Sequence, residues 1–138
     1  MVRCLVRAVL VWLLLIAAEV VHGIARGVWL VPVVGDFRAR QIGVFSGSLL
    51  ILVIVSATIR WMQVPTKPLL VSIGFLWVVL TVGFELGFGR LVLDSSWDRL
   101  ASDYDLPDGG LLPIGLLVMA CSPWLATRIR GAAPWAAA

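Results

Sequence analysis

The sequence is short of charge. Lysine, arginine, aspartate and glutamate make up 14% of its 138 residues, where a soluble domain carries about a quarter. That shortage excludes an ordinary water-facing surface. Cysteine occurs twice, as Cys4 and Cys121, too few for a disulfide framework. Both are read as unpaired apolar thiols toward the cytoplasmic side, where thiols stay reduced. A single histidine excludes a bis-histidine haem within a monomer. Nucleophile elbow, Walker loop, dinucleotide fingerprint, Cys-x-x-Cys and His-Glu-x-x-His are all absent, so nothing in the chain argues for an enzyme. The net charge of +3 comes from residues at the edges of apolar runs rather than from a stripe or a module, which speaks against nucleic acid as a partner.

Apolar side chains fill the space that charge leaves. They form 61% of the chain, and the mean hydropathy is +1.03. The excess implies an all-α integral membrane protein, one domain over residues 1–138, with the lipid bilayer as its solvent. Four segments reach the ~20 residues that a span requires: about 5–30, 42–60, 69–89 and 110–127. Arg3 and Arg7 ahead of Ala8–Ile16 resemble a signal peptide. No small-x-small cleavage site follows, however, and the apolar run continues past Glu19 to Val34, so the segment reads as the first span. Pro32 and Gly35 should end it, with residues 36–41 as a short polar loop. Residues 63–68 make the central turn. The loop at residues 90–109 differs from the others. Ser95 or Ser96 can cap a short amphipathic helix there, with Trp97, Leu100, Ala101 and Tyr104 on one side.

The charges give an orientation. Arg3, Arg7, Arg60, Lys67, Arg128 and Arg130 gather at the two termini and the central turn, with no acid among them. Six aspartates occupy the other two loops. The positive-inside rule places both termini in the cytoplasm, and the arginine-rich, lysine-poor usage suits the inner membrane of a GC-rich bacterium. Trp29 and Trp97 fall at the outer interface, Trp12, Trp61, Trp124 and Trp135 at or near the inner one, and Trp77 mid-span as packing.

The two glutamates lie inside spans. Glu19, His22 and Arg26 are spaced three and four apart, on one helical face. Ionisable groups at membrane depth rarely face lipid and mark bundle interiors or wet cavities. Glu85, followed by Gly87, Gly89 and Arg90, corresponds to Glu19, followed by Gly23 and Arg26. The correspondence suggests two tandem helix hairpins related by an axis along the membrane normal. It would bring Glu19 and Glu85 together, with Arg26 and Arg90 as counter-charges.

Three readings of this cluster stand. It is a structural ion-pair network, or a proton- or cation-binding site, since a carboxylate out of water exchanges a proton for a cation near neutral pH. The third is half of a di-iron-type site. There Glu19-x-x-His22 and Glu85 would be the metal ligands, completed in a symmetric dimer. Asp103, Asp105 and Asp108 form an outer acidic cluster that lacks the calcium-loop spacing and reads as caps on span 4. Two functions follow: a small proton- or cation-linked transporter or ion conduit acting as an oligomer, because four helices enclose little space, or a non-catalytic accessory subunit of a larger membrane complex. The substrate is not legible, and no cofactor is indicated.

Overall fold

The computed structural model describes residues 1–131; Trp135 and the rest of the C-terminal tail lie outside the described residues. The chain is all-α, and four of its helices are long and apolar enough to cross a membrane. Their flanks carry the apolar side chains that water would not tolerate. Val21, Ile24, Phe45, Leu49, Val53, Phe75, Val79 and Leu117 are each more than half exposed on the lateral surface, far more than the patch a soluble monomer shows.

The first span is one rod of 33 residues, Val2–Val34. It consists of α1 (Val2–Ala25), a π-helical turn (Arg26–Leu30) and α2 (Val31–Val34). Pro32 does not end it. In the wide turn the N–H of Val31 reaches back five residues to the carbonyl of Arg26, and the chain passes the proline without breaking. The break falls at Gly35, whose φ of 85° only glycine takes readily. Residues 36–41, expected as a loop, are the opening turns of α3 (Asp36–Met62). Asp36 sits where the positive end of a helix dipole favours an acid, and its carboxylate pairs with Arg40 one turn on.

Gln63, left-handed at φ 52°, closes α3. Thr66 caps α4 (Lys67–Leu91) by accepting from the N–H of Leu69. After α4 comes α5 (Trp97–Ser102), capped by Ser96, whose side chain accepts from the N–H of Arg99. A short 3-10 turn (Leu106–Asp108) leads to α6 (Leu112–Arg130). No side chain caps α6, so Asp105 and Asp108 do not have the capping role expected of them. Main-chain carbonyls hold that corner instead: Gly110 donates to Asp105 and Leu112 to Asp103.

α3 and α6 share the most extensive interface. α4 and α6 meet backbone to backbone at Gly74, where any Cβ would strike the carbonyl of Ala120. α1 and α4 exchange indole bonds. Trp77 donates to the main-chain oxygen of Ala8 at 2.9 Å, and Trp12 donates to Thr81 Oγ1 at 3.0 Å. Trp12 therefore lies between helices rather than at an interface. Inside α6, Pro123 cannot donate to the carbonyl of Met119, and the Ser122 hydroxyl takes its place at 2.8 Å.

The dry core fills only one end of the bundle. Ala8, Val11, Leu15, Val55, Ile59, Met62, Leu70, Ile73, Trp77 and Ala126 pack together toward the end that carries the start of α1 and the last turns of α6. The half that carries Gly35 and residues 92–111 is built differently.

Candidate functional site

In that second half the helices part around a cavity of about 560 Å³. Residues of one chain line it, and it stays partly open. Ile51, Thr81 and Met119 form its floor; Thr81 donates to Met119 Sδ at 3.2 Å. Beneath the floor lies the packed core, so the cavity does not run through the molecule. Val20, Ile24, Phe84 and Phe88 make an apolar wall, the two phenylalanine rings stacked at 5.2 Å between centroids.

Glu19, His22, Arg26 and Glu85 all line this cavity. The spacing of three and four puts the first three on one face of the first span, as the sequence requires. Glycines on α3 make room for them. A Cβ on Gly47 would lie 2.9 Å from Glu19 Oε2, and one on Gly43 would lie 2.9 Å from Arg26 Cδ. The small-residue face of α3 thus admits charged side chains rather than a neighbouring backbone. His22 bridges two partners: its Nδ1 lies 3.4 Å from Glu19 Oε2 and its Nε2 lies 2.8 Å from Ser46 Oγ. With the proton on Nδ1 the ring points its donor at the carboxylate, and Nε2 is left to accept from the hydroxyl.

The other carboxylate oxygen, Glu19 Oε1, is buried with no hydrogen-bond partner among the described residues. Glu85 forms no ion pair within 4.0 Å among them. It lies within electrostatic reach of Glu19, Arg26, Asp103 and Arg99. Among the described residues, no three His, Cys, Asp or Glu side chains form a group that could hold a metal ion. Glu19, His22 and Glu85 therefore share a cavity without converging as ligands. Arg90 lies outside the cavity. It donates to the carbonyl of Ser95 at 3.0 Å and rests over the ring of Trp97.

The outer acidic cluster divides. Asp105 and Asp108 face solvent, whereas Asp103 turns inward and lines the cavity. It pairs with both Arg40 and Arg99. Asp36 pairs with the same two arginines, at 3.0 Å and 3.8 Å. Two acids and two bases thus join the start of α3 to α5, and their charges cancel. Sequence reading did not bring Arg40, Arg99 and Asp36 to the site. A signal was present in two acid–base pairs four apart, Asp36 with Arg40 and Arg99 with Asp103. Tyr104 was assigned only to the face of the loop helix. Its hydroxyl is buried without a partner among the described residues. Burial pushes its pKa up, and the negative charges of Glu85 and Asp103 push it further.

With that network neutral, the interior keeps Glu19 and Glu85 against Arg26 and one histidine. Among the described residues neither carboxylate pairs with the Arg26 guanidinium within 4.0 Å. No family model, curated protein or solved structure matches this chain.

Proposed function

We propose that this chain is a small membrane protein that binds a cation, in exchange for protons, at Glu19 and Glu85 in a one-sided intramembrane cavity. It would serve as a transporter. The observation that carries the reading is the unpartnered oxygen of Glu19, buried in a cavity that Glu85 also lines. A buried carboxylate without a donor is costly. A proton or a cation supplies what is missing. His22, between Glu19 and Ser46, gives the proton a route. The packed floor favours a carrier that opens to one side at a time over a standing conduit.

We propose the plasma membrane of a bacterium, with both termini cytoplasmic; the bias of Arg3, Arg7, Arg60, Lys67, Arg128 and Arg130 toward one end supports it. The cavity then faces outward.

Flux in proteoliposomes tests this reading. Cation-driven proton movement should be lost in Glu19→Gln and in Glu85→Gln, each folded like the parent. Absence of flux in the parent protein, or its survival in both variants, would end the reading.

One observation favours a second reading, a non-catalytic subunit of a larger complex. Gly27 on the first span, and Gly83 and Gly87 on α4, have open space where a Cβ would stand, as a face that receives another helix would. Recovery of a stoichiometric partner from mild detergent would support it. Native mass spectra showing only this chain would count against it.

A further inference from the structure

We infer that residues 92–111 form a gate over the cavity, latched by Asp103 between Arg40 and Arg99. The inference rests on the cation-site reading for its purpose, though not for its test. Ser95, Arg99, Leu100, Asp103, Gly109 and Gly110 supply the wall of the cavity on the loop side. Phe37, Arg40 and Gln41 at the start of α3 complete that end.

The segment is built as a strap with ends that turn and a middle that is fastened. Asp94 (φ 50°) and Gly109 (φ 90°) are left-handed and frame it. Three fastenings hold it down. Leu100 is buried and sits in the notch that Gly89 leaves on α4, its Cγ 3.7 Å from the place of a Cβ there. Gln41 on α3 donates to the carbonyl of Gly109 at 2.9 Å. Asp103 is gripped by Arg40 from α3 and by Arg99 from α5, and Asp36 steadies both arginines. The N–H of Ser95 also donates to the carbonyl of Gly89 at 2.8 Å. Segments held mainly by a small set of polar fastenings open at lower free energy than packed helices do.

The test reads access to the cavity, not transport. Ser48 lines the cavity and is nearly the size of cysteine. In a chain with Cys4 and Cys121 replaced by serine, S48C is labelled in lipid nanodiscs with a charged, water-soluble thiosulfonate. D103N should raise the labelling rate on the order of tenfold, since charge-assisted bonds to two arginines are lost. A disulfide between cysteines introduced as G89C and L100C is formed before S48C protein is labelled in a protected-thiol protocol. It should nearly abolish labelling, and reduction should restore it. Equal rates in the parent, D103N and cross-linked forms would overturn the gate. If D103N fails to fold, the cross-linked arm decides alone. No cation enters this assay, so its failure leaves the binding reading standing. A failed flux assay with gated labelling would do the reverse.

Discussion

The carboxylate of Glu19 occupies the space that a side chain on Gly47 would need: a Cβ there would stand 2.9 Å from Oε2 and 3.1 Å from Oε1. The glycine is what lets the acid lie against α3 at all. Gly47→Ala should therefore act on the site more than on the fold. The obstructing atoms are the free end of a flexible side chain, so the cost should stay below ~1 kcal/mol, while the displaced carboxylate loses cation affinity. Thermal unfolding in detergent and a cation titration on the same sample separate the two effects. Gly74→Ala is the contrast. There the obstacle is the backbone of Ala120, which cannot swing away. The cost should be about 1–3 kcal/mol, with the site unchanged apart from that loss.

Pro123 leaves the carbonyl of Met119 to the hydroxyl of Ser122. Ser122→Ala should cost roughly 0.5–2 kcal/mol, the range for a polar contact inside a membrane bundle. Pro123→Ala returns the main-chain bond. In that background Ser122→Ala should cost measurably less. A double-mutant cycle by reversible unfolding checks the coupling; strictly additive costs would show that the hydroxyl does not replace the missing donor.

Tyr104 is the chain's one tyrosine, so ultraviolet titration of the phenol reports on it directly. Its midpoint should lie above the usual 10.0, first because it is buried and then because Glu85 and Asp103 are negative. Glu85→Gln should bring the midpoint down without reaching the free value, since burial remains. The sign for stability follows. The folded protein holds this proton more tightly than the unfolded chain, so the stability it contributes is complete below pH 10 and falls as pH rises through the folded midpoint. Loss of stability on the acid side would not come from this group.

Much of the architecture was legible because lipid imposes so strong a rule. Four apolar runs can only be four helices, and the spacing of Glu19, His22 and Arg26 can only be one face. The ends of the helices were less so. Pro32 is a helix breaker by its ring, yet the π turn before it absorbs the missing bond, so the break moves to Gly35. Residues 36–41 look like a loop because they are polar; they are helical because Asp36 and Arg40 pair one turn apart.

The site was half legible. Local spacing gave the Glu19 triad, and the resemblance between the halves of the chain gave Glu85 as its companion. The same resemblance misplaced Arg90, which the cap of Trp97 and the carbonyl of Ser95 draw outward. Asp103 could not be singled out from its neighbours, because its two arginines are 4 and 63 residues away in sequence. Only the fold of the strap decides which aspartate turns in.

Infrared difference spectroscopy on the purified protein in lipid, recorded as a cation is added, goes straight to the two glutamates. A protonated carboxyl band should disappear as the cation displaces the proton. It should shrink in Glu19→Gln, shrink in Glu85→Gln, and vanish in the double variant. A cation that binds with no change in that band, or a band that persists in the double variant, would contradict a shared proton and cation site at Glu19 and Glu85.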